Sequence, residues 1–406
     1  MDRFALGQFQ VDYEARIDWT QLRADKIQRV CAAMKEANVA ALFLWRDENV
    51  RYLTGLRIIM LQYRASTTYG VFLHEDGEMV LFLSSGELMR AKQRMPWVQH
   101  FEPIPIMDEA GLVADVVKQK ILPVFQRYGV EASRVGLDMM TTQQMKAYQS
   151  YLPRVEWVDG DEVIQGVRMI KSANEIRILE EATAIADAVT QTALNTVQAG
   201  IREFEVAAEA MRTLFRYGGE FAHLASPFVA SGERMSPPTR FPTDKIIHYG
   251  DIVFIDIGAA WNGYFGDVGR STICGKPSPE QKRIYRAVYE AQQAGIAAMQ
   301  PGRKISEVAA VYHQTAVRYD LADHFINLFI GHGIGAAPAE SPFVGETQPG
   351  AHDHILQPGM VFAMEPLIHV DGVRGGGGVR LEDMVLITAE GPHIMSRAPY
   401  DDRLLD

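Results

Sequence analysis

Four acidic residues and one histidine lie within or directly beside apolar segments in the last third of the chain. They are Asp256 and Asp267 in DIGAAWNGYFGD, His332 in GHGIG, Glu365 in AMEP and Glu382 in VRLED. A carboxylate buried among apolar residues is costly unless a partner neutralises it. Four carboxylates that converge without a partner also repel one another and take up protons. Two divalent cations would cancel this charge, so the pattern predicts that these distant segments fold together around metal ions.

The donor atoms of these five residues are hard and rich in oxygen. Such a set favours manganese, iron(II), cobalt or zinc in a two-metal site, whereas a structural zinc would use cysteines. Asp256 and Asp267 are 11 positions apart, since 267 − 256 = 11, and Asn262 with Gly263 predicts a turn between two strands. A surface hairpin with two solvated aspartates is the commoner outcome of such a pair alone. The histidine and glutamate motifs that follow favour the metal site.

Two glycine-rich segments have alternative interpretations. The spacing of Gly331, Gly333 and Ala336 is close to a dinucleotide-binding fingerprint, which requires a helix to begin at once. Pro338 makes that helix unfavourable. The glycine run 375–378 lacks the lysine and the following helix of a phosphate-binding loop. It predicts either a tight approach of backbones near the site or a flexible turn.

The five residues and their motifs match, in order, those of the pita-bread metalloenzymes. This family includes methionine aminopeptidase, aminopeptidase P, prolidase and creatinase, and the chain resembles it over its whole length. The resemblance implies an α/β creatinase-like N-terminal domain at residues 1–167 and an α+β pita-bread catalytic domain at residues 168–406. The residues also indicate a boundary near 166–171, because Ser172 and Glu175 form a capping box that begins a long helix.

The resemblance assigns a role to each residue of the set. Asp267 and Glu382 would bridge two divalent metal ions, and Asp256 would complete the ligands of one ion. His332 and Glu365 would complete those of the other.

Three residues are predicted to take part in catalysis. Glu365 is the preferred group for proton transfer. His369 follows it closely, and its alternative is a surface or hydrogen-bonded histidine. Arg380 would either pair with a ligand carboxylate or bind a substrate carboxylate.

The substrate contacts are predicted less directly. Family members form homodimers in which the N-terminal domain of one subunit caps the site of the other, which would make Trp45 and Arg64 substrate-facing. Their alternative is ordinary packing, which we prefer. Arg234 and Glu340 are further candidates for substrate binding, because Arg234 replaces the usual asparagine of a family motif and Glu340 directly follows a position where family peptidases carry a histidine.

Those histidines mark the main departure from the family. Peptidases of this type carry two imidazoles that contact the scissile peptide, and at those positions this chain has Thr239 and Ala339. The segment SGERMSP and the C-terminal motifs also resemble metallopeptidase-like dimethylsulfoniopropionate lyases. Against a lyase, Pro338 stands where those enzymes place an acidic base, Asn327 where they place a tyrosine, and Gly258 where they place a second aspartate.

Composition excludes several classes of partner and compartment. A net charge of −11 and a pI near 5.5 argue against nucleic acids and anionic membranes as partners. Two cysteines, Cys31 and Cys274, are too few for a disulfide framework and favour a reducing cytoplasm. The N-terminus lacks the apolar core of a signal peptide, and no apolar run approaches a membrane span.

The sequence therefore predicts a dinuclear metal-dependent hydrolase that cleaves a C–N amide bond of a small molecule or dipeptide. An elimination lyase is the alternative among enzymes. A catalytically silent homologue that binds a metal, a small molecule or a partner is the alternative from another class, although it would have no need to retain four costly carboxylates.

Overall fold

The computed structural model describes residues 16–56, 68–220, 222, 227–235, 239–327, 329–346, 348–349 and 351–406. The chain divides into two compact units, Met1–Arg168 and Met169–Asp406. The first unit alternates helices with one mixed sheet, and the second combines long helices with antiparallel sheets. The predicted fold class, α/β followed by α+β, is confirmed. Arg64, a predicted substrate contact, lies outside the described residues.

The first unit is built on a six-stranded sheet in the order β4-β3-β2-β1-β5-β6. Strands β1, β2 and β3 pair antiparallel, and β4, β5 and β6 each join in parallel. The described elements are α1 Trp19–Glu36, β1 Ala41–Leu44, α2 Asp47–Thr54, β2 Gly70–His74, β3 Met79–Ser84, α3 Leu88–Arg94, β4 His100–Ile104, α4 Ala110–Val116, α5 Leu122–Arg127, β5 Arg134–Leu137, α6 Thr142–Tyr151, β6 Glu156–Asp159 and α7 Gly160–Met169.

Trp45 belongs to the core of this unit. Its side chain is fully buried, and its ring packs edge-on against Phe43 at a centroid distance of 5.1 Å. The ring of Phe82 also packs against Trp45, at a centroid distance of 6.3 Å. A side chain with no exposed surface contributes packing, and this position fits the packing alternative rather than the predicted substrate contact.

The described residues of the second unit form two antiparallel sheets and two short hairpins. The sheets have the orders β11-β8-β7 and β13-β12-β14-β17-β18, and the hairpins are β9-β10 and β15-β16. The described elements are α8 Ala173–Thr196, α9 Glu203–Arg216, β7 Phe228–Ser231, β8 Ile252–Asp256, β9 Ala259–Trp261, β10 Tyr264–Gly266, β11 Gly269–Ile273, α10 Pro279–Ala298, α11 Ile305–Arg318, β12 Gly331–Gly333, β13 Glu340–Val344, β14 Val361–Met364, β15 Leu367–His369, β16 Gly378–Arg380, β17 Asp383–Thr388, β18 Gly391–Ile394 and α12 Asp402–Leu405.

Local sequence signals explain where the long helices of this unit begin. Ser172 accepts from the backbone N–H of Glu175, whose side chain accepts from the N–H of Ser172, so the predicted capping box at the start of α8 is confirmed. Ser278 and Gln281 make the same arrangement at the start of α10. Helices α10 and α11 bury their apolar faces in a large core together with the five-stranded sheet.

The glycine run 375–378 makes a tight approach between backbones. Gly376 has φ of 89°, and a Cβ there would lie 2.2 Å from the carbonyl oxygen of Gly232. A side chain at this position would therefore push the two segments apart. Of the two interpretations left open by the sequence, the close approach is the one observed.

Among the described residues, no helix combines the length and the apolar character needed to cross a membrane.

Candidate metal centre

Asp256, Asp267, His332, Glu365 and Glu382 form what we call the five-residue cluster. Each lies in or beside a different short strand of the second unit. Asp256 is the last residue of β8, and His332 is the middle residue of β12. Asp267 lies between β10 and β11, Glu365 directly follows β14, and Glu382 lies between β16 and β17. Strand ends from both sheets thus bring together residues that are far apart in sequence.

Strand pairing explains why the carboxylates can approach so closely. Gly269 of β11 lies opposite Asp256 of β8, and residues directly opposite each other project to the same face of a sheet. A Cβ at Gly269 would lie 2.7 Å from Oε2 of Glu382 and 3.4 Å from Cβ of Asp256. The glycine therefore leaves the space that Glu382 occupies. Asn262 and Gly263 both have positive φ in the turn between β9 and β10, as the sequence predicts.

The side chains of the five-residue cluster form two overlapping groups that could each hold a metal ion. One group consists of Asp267, His332 and Glu382, and the other of Asp256, Glu365 and Glu382. Within each group the possible ligand atoms lie within 4.8 Å of one another. All five residues are buried, with relative exposures of 1% to 4%.

The electrostatics of the cluster are those of a site with more negative than positive charge. Burial, together with the charges of Asp256 and Glu365, raises the pKa of Asp267 well above its usual value. Burial and the charges of Asp267 and Asp256 likewise raise the pKa of Glu382. Within the described part of the chain, Oε2 of Glu382 is buried and has no hydrogen-bond partner. These observations fit the binding of a divalent cation, which would neutralise the carboxylates and be coordinated by Oε2 of Glu382.

Arg380 is the protein's own counter-charge at the cluster. Its Nη1 lies 3.0 Å from Oδ2 of Asp256 and 2.7 Å from Oε2 of Glu365. Burial alone would raise the pKa of Glu365, but Arg380 and His332 hold it below its usual value. Of the two roles left open by the sequence, the structure shows Arg380 pairing with carboxylates of the cluster.

The histidine of the cluster is oriented by a backbone carbonyl. Nδ1 of His332 lies 2.9 Å from the carbonyl oxygen of Gly333, and its Nε2 lies 3.3 Å from Oε1 of Glu365. A proton on Nδ1 would donate to the carbonyl and leave the lone pair of Nε2 for a cation. After Gly333 the chain continues through a loop into β13 rather than into a helix, so the dinucleotide interpretation does not hold.

The remaining predicted site residues lie outside these two groups. His369 ends β15 with a quarter of its side chain exposed, and its Nδ1 lies 4.0 Å from Oδ1 of Asp371. Arg234 is held by Glu203, at 3.3 Å from Nε to Oε2. Thr239 and Ala339, at the positions of the family's two histidines, are both exposed.

Glu340 forms an ion pair that sequence reasoning did not identify. Its Oε1 accepts from Nζ of Lys171 at 2.8 Å, and only 2% and 4% of the Lys171 and Glu340 side chains are exposed. The two residues are 169 positions apart, so no local signal could have connected them. The pair places Glu340 in the interior, and its predicted role in substrate binding receives no support from this contact.

The fold and the acidic, histidine-containing cluster define a metallopeptidase-type protein. Residues 177–389 match metallopeptidase family M24, and residues 26–170 match the creatinase/prolidase N-terminal domain. The chain is 30% identical to the Xaa-Pro dipeptidase of Pyrococcus furiosus over 368 residues, which cover 90% of this chain and 96% of that protein.

Solved structures of prolidase-type enzymes also resemble this chain. The Xaa-Pro dipeptidase from Bacillus anthracis superimposes with a TM-score of 0.78 at 26% identity, covering 93% of this chain and 98% of that one. The prolidase from Pyrococcus furiosus gives a TM-score of 0.74 at 27% identity, covering 91% of this chain and 99% of that one. The chain belongs to metallopeptidase family M24. The predicted resemblance to the creatinase, prolidase and aminopeptidase P type is confirmed, and so is the prediction of a metal-dependent hydrolase of this family.

Proposed function

We propose that the chain is a dinuclear metal-dependent hydrolase that cleaves the C–N amide bond of a small substrate, in the manner of an Xaa-Pro dipeptidase. The observation that carries the proposal is the convergence of four buried carboxylates and one oriented imidazole into two overlapping groups. The names of the relatives support amide hydrolysis, since the similar proteins include Xaa-Pro dipeptidases.

The five-residue cluster would hold the metal ions. By the grouping of their ligand atoms, Asp267, His332 and Glu382 would hold one ion, and Asp256, Glu365 and Glu382 the other. The family resemblance would instead have Asp267 contact both ions and place Glu365 with His332. Manganese, iron(II), cobalt and zinc all suit this donor set. When bound, such ions lower the pKa of water and polarise a carbonyl oxygen.

The surrounding residues would orient the cluster and move the proton. Arg380 holds the carboxylates of Asp256 and Glu365 in place through its two short contacts. Glu365, whose pKa is held low by Arg380 and His332, would take up a proton from the attacking water and pass it to the leaving nitrogen. A catalytic role for His369 remains part of the proposal.

Thr239 and Ala339 distinguish this chain from the family's usual peptidases. Neither side chain can supply the imidazole that contacts the scissile peptide in those enzymes, and lost contacts of this kind lower rates by about a hundredfold or more. Both positions are exposed, so histidines can be introduced there without displacing core residues. At position 239 the hydroxyl hydrogen bond to the carbonyl oxygen of Arg234 would be lost, while the backbone N–H bond to the same oxygen would remain. The wild-type chain is therefore expected to hydrolyse Xaa-Pro dipeptides slowly, with small cyclic amides as further candidate substrates.

The test compares the wild type with a Thr239→His/Ala339→His variant, each loaded with manganese or iron(II). Turnover of Xaa-Pro dipeptides, small cyclic amides and dimethylsulfoniopropionate is read by mass spectrometry. We expect amide hydrolysis by the wild type and at least about tenfold faster dipeptide cleavage by the variant. An elimination product from dimethylsulfoniopropionate with no amide hydrolysis would support a lyase instead. A metal-loaded protein that turns over none of these compounds would contradict the proposal and favour the silent homologue.

The stabilisation that metal ions provide should depend on pH. In the metal-free protein, the raised pKa values of Asp267 and Glu382 keep these groups protonated at low pH, and their repulsion appears as the pH rises through those values. We expect manganese to raise the melting temperature more at pH 8 than at pH 6 and to release protons on binding. Thermal unfolding with manganese or with a chelator at both pH values, and calorimetry in two buffers, measure these effects. Equal stabilisation at both pH values would contradict this account.

We also propose that the protein acts as a homodimer in a reducing cytoplasm. Cys31 and Cys274 are both buried free thiols, which suits a reducing compartment.

A further inference from the structure

Arg240 follows the position at which family peptidases carry one of their two histidines, and it has an unusual backbone. Its φ is 64°, in the left-handed region that few residues other than glycine adopt. Strained conformations of this kind persist only where the surrounding structure enforces them, and they are concentrated at functional sites. The contacts around Arg240 show what enforces it.

The segment that carries Arg240 is fixed by a buried glutamate. We call residues 231–235 and 239–243 the Arg240 loop. The fully buried Glu203 accepts from the backbone N–H groups of Ser231 and Thr243 at 2.7 and 3.0 Å. It also accepts from both of their hydroxyl groups at 2.9 Å, and it pairs with Arg234. Both ends of the loop are thus tied to the first turn of α9.

Further contacts set the conformation beside Arg240 itself. The N–H and the hydroxyl of Thr239 both donate to the carbonyl oxygen of Arg234 at 2.8 Å. Nη2 of Arg234 donates to the carbonyl oxygen of Phe241 at 2.6 Å. Arg234 therefore links the two segments of the Arg240 loop by hydrogen bonds. The tight approach of Gly376 to Gly232 adds support from the other side.

The loop holds Arg240 on the face of the sheet that carries the metal centre. Phe228 of β7 lies opposite Asp256 of β8, so their side chains project to the same face. Cζ of Arg240 lies 5.8 Å from the centroid of the Phe228 ring. Partial burial of its guanidinium and the charge of Arg380 lower the pKa of Arg240, while the charges of Glu365 and Asp256 oppose them. The guanidinium thus lies within electrostatic range of the five-residue cluster.

Arg240 differs from Arg380 in having its charge available. Arg380 contacts two carboxylates of the cluster and is buried. Within the described residues, no carboxylate lies within ion-pair distance of Arg240, and the residue is exposed. A guanidinium is suited to bind a carboxylate through two parallel hydrogen bonds.

We propose that Arg240 selects substrates that carry a carboxylate beside the scissile amide. Arg234, which sequence reasoning assigned to substrate binding, then positions the loop instead of contacting the substrate. This inference rests on the proposed amide hydrolysis at the five-residue cluster, and it specifies which small amides that site would take.

The test removes the positive charge of residue 240 while preserving the backbone conformation there. Asparagine tolerates positive φ better than most residues, so Arg240→Asn should retain the loop. Arg240→Lys retains the charge without the paired hydrogen bonds, and Arg212→Asn is the matched control, because Arg212 lies on α9 with 73% of its side chain exposed. The probes are glycyl-proline with glycyl-prolinamide for manganese-dependent turnover, and L-proline with L-prolinamide for calorimetric binding. Metal stoichiometry is measured for every variant.

We expect the wild type and Arg212→Asn to prefer the acids over the amides by about tenfold to a hundredfold. Arg240→Asn should reduce this preference to about twofold or less, and Arg240→Lys should be intermediate. An unchanged preference in Arg240→Asn, or no preference in the wild type, overturns the inference even if dipeptides are hydrolysed. A lost binding preference without hydrolysis of any dipeptide supports the inference while contradicting the dipeptidase function.

Discussion

Replacing Asp267 with asparagine is expected to lower metal-dependent turnover by about a thousandfold or more. Asp267 shares one possible metal site with His332 and Glu382, and an amide is a weaker ligand than a carboxylate. Because both sites also depend on Glu382, the loss of one ion should disturb the other. Turnover on the best substrate and metal content by mass spectrometry are the measurements.

The same substitution should not destabilise the metal-free protein, although it lowers turnover. The pKa of Asp267 is raised in the fold, so the ionised group opposes folding at neutral and higher pH. Asparagine removes that charge and keeps the shape. We expect Asp267→Asn to be at least as stable as the wild type at pH 8 in chelator, while manganese no longer stabilises it. Asp323→Asn, at an exposed position, is the control that should change neither quantity. Full turnover by Asp267→Asn would refute the metal mechanism.

Replacing Arg270 with methionine is expected to cost about 3–5 kcal/mol in the free energy of unfolding. Only 1% of the side chain of Arg270 or of Asp383 is exposed, and Nη2 of Arg270 lies 2.8 Å from Oδ1 of Asp383. Arg270 also donates to the carbonyl oxygen of Ala398 through Nε and Nη2. Burial would raise the pKa of Asp383, but Arg270 and several hydrogen bonds hold it below its usual value. Methionine would leave a buried charge with weaker compensation.

Chemical denaturation in the presence of a chelator measures this cost without a contribution from metal ions. Arg212→Met is the surface control, because Arg212 pairs with Glu209 at 3.3 Å in largely exposed positions and such pairs contribute at most about 1 kcal/mol. An Arg270→Met/Asp383→Leu variant should recover part of the loss, because it removes both charges. A single variant as stable as the control would show that the buried pair contributes little.

The candidate metal centre could be predicted from sequence because its signal is local at each position. Asp256, His332 and Glu365 each lie beside apolar β-forming residues, and the turn at Asn262 and Gly263 has the residues that its backbone requires. The helix starts at Ser172 and Ser278 could be predicted for the same reason, since a capping box involves only residues three positions apart.

Features that depend on distant contacts could not be predicted in this way. Tryptophan is a residue type that often binds ligands, but Trp45 is buried because other side chains of the first unit pack over it. Glu340 lies next to a site position, yet its charge is used by Lys171. The left-handed backbone of Arg240 results from hydrogen bonds between Arg234 and its neighbours Thr239 and Phe241, and from the contacts of the loop with Glu203. The local sequence carries no signal that predicts it.

The five-residue cluster takes its members from both sheets of the second unit and from the segments between them, and this origin affects how the protein would respond to metal ions over time. The cluster exists only when the strands that carry Asp256, His332 and Glu365 have all docked. Contacts between residues so distant in sequence form late in folding. A bound ion therefore strengthens the native state more than the folding transition state, and it prolongs the lifetime of the folded protein instead of accelerating its formation.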